Sequence, residues 1–210
     1  GQMEKIWNSA EKKVFRKLTT PFKIQTYLDH IPYSGDSFYR SPRSVLRDKK
    51  AHCFDGALFA ACALRLIGQR PLIIDILADN DDDHLLAIYK VRGYLGAVAK
   101  SNFVGLRFRE PIYRTLRELV LSYFEAYYNV DKEKTLRGYT VTLDLSQYDH
   151  LEWMTNDKNL EQIADALDRI RQIRILTSQM IKSLNPVDDR SYRAGMLGIN
   201  KAGLYRPGRK

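Results

Sequence analysis

The chain has 210 residues, 44% of them apolar, and a formal net charge of +9, enough for one sizeable core with at most a helical appendage. No apolar run reaches the ~20 residues that a membrane-spanning helix needs. Two cysteines and four histidines exclude a disulfide framework and argue against a structural zinc cluster. Cys53 and Cys62 on one helix would sit roughly 13 Å apart along its axis at ~1.5 Å per residue, too far to bridge. Part of the positive charge lies in the tail, at Arg190, Arg193, Lys201, Arg206, Arg209 and Lys210. A solvated basic terminus is the simpler reading, and contact with nucleic acid the sharper one, unsupported by any recognised motif. The start, Gly1-Gln2-Met3, carries no export-signal core. Reduced cysteines fit a cytosolic setting, and a removed signal would leave the same start.

In chain order, residues 4–18 have helical composition, with Ile6, Ala10, Val14 and Leu18 spaced for one face. Thr20-Pro21 reads as an N-cap and first helical residue, opening a helix to His30. A loop follows over 31–36, then a helical turn over 44–48. The central helix starts at Cys53: Phe54, Ala57, Leu58, Ala61, Leu64 and Ile67 recur at three and four, and Gly68 closes it. Three strands are expected over 71–78, 84–91 and 94–99, the last two joined antiparallel by the Arg92-Gly93 turn. Beyond Pro111 the spacing predicts a helix to Asn129, then a strand at 139–143 and a long helix over 156–184, stopped by Asn185-Pro186. If that long helix forms, pairing it with a second copy is conceivable, although Arg174 and Thr177 interrupt its stripe. The simplest parse is one α+β domain over 1–186 with a basic, loosely ordered tail over 187–210.

Three positions carry candidate chemistry. Cys53 sits at a helix start, where unpaired N–H groups favour a thiolate, with Lys49, Lys50 and His52 just before it. The same N–H groups would hold an oxyanion. His84 closes the acidic run Asp79-Asn80-Asp81-Asp82-Asp83 and opens an apolar strand, where it can serve Cys53 as base. Taken singly, a buried structural thiol and a surface loop histidine are the bland alternatives; Cys62, mid-helix, fits the bland one. The aspartate run lacks the alternating ligands of a calcium loop, so no metal is assigned. No cofactor is implied.

The Cys53-Phe54-Asp55-Gly56-Ala57 segment, the turn Gly68-Gln69-Arg70-Pro71 and His84 on the second strand resemble the transglutaminase-like superfamily. That group includes transglutaminases, peptide N-glycanases and bacterial transglutaminase-like proteases. The resemblance covers residues 22–103. It implies a papain-like core, with the Cys53 helix packed on a small antiparallel sheet and helices flanking it. It implies a cysteine at a helix start, a histidine on one strand and an aspartate on the next. Here the third strand ends Ala99-Lys100-Ser101-Asn102 with no carboxylate, and Asn102 is the candidate to orient the imidazole, with Ser101 a weaker one.

The leading expectation is a cysteine-dependent acyl-transfer enzyme acting on a peptide or protein amide, with Cys53 as nucleophile, His84 as base, Asn102 as ring holder and Gln25 a bare guess for a second oxyanion donor. The alternative is an inactive relative whose groove binds a peptide, protein or nucleic acid. For that groove Phe38, Tyr39, Tyr94, Phe103 and Phe108, interleaved with Arg40, Arg43, Arg107 and Arg109, are the candidate lining. Substrate, oligomeric state and pathway are not legible.

Overall fold

The computed structural model describes residues 5–208. Helix α1, Ser9–Phe15, opens on an Asn8–Glu11 capping box. Its buried face is Trp7, Glu11, Phe15 and Leu18, while Ile6 and Ala10 are exposed. The apolar spacing from Ile6 is met in part: Leu18 is buried and Val14 packs against the core, while Glu11 takes a buried place by pairing with Arg43 at 2.7 Å. Glu4, the start expected for this helix, lies outside the described residues.

Helix α2, Pro21–His30, begins at the Thr20 cap, and α3, Pro42–Asp48, at the Ser41 cap. Helix α4, Cys53–Leu66, is buried from Phe54 to Leu64. It ends where Gly68 takes φ +95° and Gln69 N–H reaches the Leu64 carbonyl at 3.0 Å.

Strands β1 (Leu72–Ala78), β2 (His84–Val91) and β3 (Tyr94–Val98) follow as antiparallel neighbours. Arg92 and Gly93, both at positive φ, make the tight turn between β2 and β3. Strand β4, Arg109–Tyr113, comes next, then the short helix α5, Leu116–Leu121. The expected helix from Pro111 is thus replaced: Pro111 lies in an edge strand, where its missing N–H costs nothing, and Ile112 is 65% exposed. Strands β5 (Leu136–Thr140) and β6 (Leu143–Asp144) both pair with β1.

The expected long helix over 156–184 is three elements: α6 (Leu160–Arg169), strand β7 (Gln172–Arg174) and α7 (Ser178–Lys182). Ile170 is already extended, and β7 alternates exposed Gln172 and Arg174 with half-buried Ile173; that period of two belongs to a strand. No continuous helix exists there for a second copy to pair with. The sheet order is β4-β3-β2-β1-β5-β7, with β6 beside β1.

The result is an α+β fold with an antiparallel sheet between two cores. Helix α4 packs on one face, against Ile73, Leu85, Ala87, Tyr89 and Val98. The other face, with Ile74, Ile76, Leu86 and Ile88, is covered by α5 and the tyrosines after it. The chain after α7 forms α8, Asp189–Gly195, and a 3-10 turn at Lys201–Gly203. This last turn returns to the body: Asn200 N–H donates to Asn102 Oδ1 at 2.7 Å, and Asn200 Nδ2 to the Tyr33 carbonyl at 3.0 Å.

Candidate active site

Cys53 is the first residue of α4, and His52 caps that helix by accepting the Asp55 N–H at 3.4 Å. The cap is held from below. Asp55 is fully buried and accepts the Arg40 N–H at 2.6 Å. Arg40, itself buried, pairs with Asp36 at 2.6 Å and Asp48 at 2.9 Å. A guanidinium shared among carboxylates on three segments fixes the loop that precedes the helix.

The thiol is half-buried and lies against the Leu85 main chain and the Tyr33 phenol. Burial pushes its pKa up to about 12, with the Asp75 carboxylate field adding to that and the Leu85 contact opposing it. Desolvation thus favours the neutral thiol. The charged resting thiolate expected from the sequence is not what this environment favours, because of the loss of hydration.

His84 is 4% exposed. On β2 it alternates with Leu85, whose side chain faces α4, so the imidazole goes to the opposite face of the sheet. It packs edge-on to Tyr127 at 6.5 Å, and Nε2 donates to the Leu106 carbonyl at 2.7 Å. Burial drives its pKa down to about 4. Cys53 and His84 make no hydrogen bond to each other, yet both line one cavity of about 170 Å³ at the end of the sheet, with Tyr33, Asn102 and Gly203.

Asn102 does not hold the ring. Its Oδ1 accepts from Asn200 N–H and its Nδ2 donates to the Asn200 carbonyl at 2.8 Å, so its amide is spent on the tail. The ring-fixing acceptor is instead the Leu106 main chain, which no side-chain motif reveals. Gln25 is occupied as well, clamping Ala99 through its N–H at 3.0 Å and its carbonyl at 2.9 Å. Just past the end of β3, Lys100 turns inward and donates to the Leu28 and Ile31 carbonyls, closing the end of α2.

Two residues to which the sequence reading gave no role line the cleft beside the sulfur. Tyr33 is brought there by a bridge to Ala51. Asp75 sits on β1 opposite Leu85, facing α4. Neither lies in a motif; register alone places them. The arginines expected along a binding groove are turned to internal partners. Arg43 pairs with Glu11, Arg107 with Asp29, and Arg109 lies over the Tyr123 ring at 3.8 Å. Among the described residues no group of three or more His, Cys, Asp or Glu side chains is placed to hold a metal.

No family model matches the chain, and no curated protein matches it. Among solved structures it is similar to LapG of Legionella pneumophila, at 14% identity and a TM-score of 0.35, over 47% of this chain and 68% of that one. The EGTA-treated form of the same protein gives 14% and 0.35 over 48% of this chain and 66% of that one. The relationship is distant, and the chemistry of the site rests on its own geometry.

Proposed function

We propose that the chain is a thiol-dependent acyl-transfer enzyme acting on an amide or peptide bond, held here in a closed resting form. The observation that carries this reading is the shared cavity: the helix-start thiol and the imidazole border the same space. Because Nε2–H donates to the Leu106 carbonyl, Nδ1 is the nitrogen left to accept a proton. In the reaction Cys53 Sγ loses its proton to His84 Nδ1 and attacks the substrate carbonyl. The developing oxyanion is received by the Tyr33 hydroxyl and the Cys53 N–H. Collapse passes the His84 proton to the leaving amine, and water then releases the acyl group.

The resting groups are poorly matched: moving a proton from a thiol near 12 to an imidazole near 4 costs on the order of 10 kcal/mol. Catalysis thus requires opening, with rehydration of both groups and a turn of the ring toward the sulfur. That mismatch also favours a second reading, in which the cleft only binds a peptide or protein.

A peptide thioester acyl donor separates the two readings. The enzyme acquires an acyl adduct on Cys53, read by intact mass. Cys53→Ala abolishes the adduct, and His84→Gln slows it by about a hundredfold or more. An adduct-free native chain, or product release equal in Cys53→Ala, leaves the binding reading standing.

A further inference from the structure

On the α4 side of Cys53 a cavity of about 470 Å³ opens. Asp75 of β1, Asp82 and Asp83 before β2, and Asp168 on the last turn of α6 converge on it. Among the described residues none of these four forms an ion pair with a lysine or arginine. In a chain of net charge +9, four uncompensated carboxyls in one cleft are a local reversal of sign. The basic residue on its wall, His52, already has both ring nitrogens engaged, with the Asp55 N–H and the Phe38 carbonyl.

Asp75 supplies an independent sign of a ligand. It is 5% exposed, yet its Oδ1 has no hydrogen-bond partner. Its N–H is satisfied by Thr140 Oγ1 at 3.0 Å, so the main chain is in order and only the carboxyl is left bare. A buried acceptor without a donor costs about 1–3 kcal/mol, which a bound donor would offset. Burial, with Asp83 and Asp168 adding repulsion, raises it to about 8; a bound cation relieves both causes.

We infer that this cavity receives a cationic side chain of a peptide, a guanidinium or an ammonium, with Asp75 at its floor beside the Cys53 thiol. The inference rests on the reading of the Cys53 cleft as a substrate site and names the substrate class. An organic cation fits better than a metal, since no metal-holding cluster exists among the described residues and the rings of Tyr33, Tyr39 and Phe54 line the same walls.

Calorimetric titration of the full chain with Nα-acetyl-arginine amide, Nα-acetyl-lysine amide and the uncharged Nα-acetyl-norleucine amide tests this. At least one cationic amide binds about tenfold or more tighter than the norleucine amide, and the tighter of the two shows whether the site prefers guanidinium or ammonium. Asp75→Asn removes about tenfold or more of that affinity, and the exposed Asp168→Asn about threefold. Equal binding of the norleucine amide overturns the inference, as does unchanged cation affinity in both variants. Displacement of the amide by an equal concentration of calcium chloride also overturns it, in favour of a metal. Cys53→Ala keeps the two ideas apart: cation binding that survives there, with no acyl transfer by the native chain, defeats only the enzymatic reading.

Discussion

At the scale of single residues, burial keeps the imidazole neutral and draws the Asp75 carboxyl toward its protonated form, and each leaves a mark on stability. The folded His84 titrates at about 4, below its ordinary value of 6.5. Across that interval the unfolded chain binds the extra proton, so stability falls as pH drops from 6.5 to 4. Asp75 does the reverse. Its folded pKa of about 8 exceeds the ordinary 3.8, so the folded chain holds the extra proton and the stability this gives is lost as pH rises from about 4 to 8. The stability gained by Asp75→Asn, relative to the native chain, should therefore grow between pH 5 and 8 in thermal melts. His84→Gln should remove part of the native chain's loss between pH 6.5 and 4. A flat or inverted difference for either variant contradicts the burial assigned to that residue. The placement of Cys53 at a helix start and of His84 at a strand start was legible in the sequence, because a helix cap and an acidic turn mark those positions. The partners were not. The Leu106 carbonyl, the Tyr33 hydroxyl and the Asp75 carboxyl reach the cavity through strand register and loop packing, which local spacing does not encode.

Among the elements, α4 is buried along most of its length, and its contact with Lys100, just past β3, is tight. A Cβ on Gly56 would fall 2.1 Å from the Lys100 Cβ, and Lys100 is pinned through its Nζ to the end of α2. The helix, the strand end and α2 therefore approach as one unit around a missing methyl group. Gly56→Ala should raise intrinsic helix propensity yet destabilise the fold by about 1–3 kcal/mol in chemical denaturation, because overpacking outweighs propensity. A stabilised variant would contradict the close approach. The elements readable from the sequence are those with their own punctuation: α2 with Thr20-Pro21, α4 with Gly68, and β2–β3 with Arg92-Gly93. The region after Pro111 and the stretch over 156–184 misled the helical spacing because isoleucines and leucines at three and four also fit half-buried strands and short capped helices. Thr115 and Thr177, which accept from Glu118 and Met180 N–H groups, are the caps that mark the true starts.

For the whole molecule, the tail bears directly on the site. Its glycines and basic residues suggested a loose terminus, yet Asn200 ties it to Asn102 and Tyr33, and Gly203 forms part of the wall of both cavities at Cys53. The asparagine placed by sequence in the catalytic constellation thus serves as an anchor for residues some hundred positions away, a pairing visible only in three dimensions. Because Gly203 walls both cavities at Cys53, releasing the tail is expected to admit water to the sulfur. The rate of Cys53 alkylation by iodoacetamide, followed by mass spectrometry across pH 6–10, tests the dormant thiol most directly. In the native chain the rate should stay far below that of an ordinary thiol, whose pKa is near ~8.5. In the Asn102→Ala/Asn200→Ala double variant it should rise by about tenfold or more, with the titration shifted to lower pH. A native Cys53 that alkylates like a free thiol, or a double variant as slow as the native chain, would contradict the account.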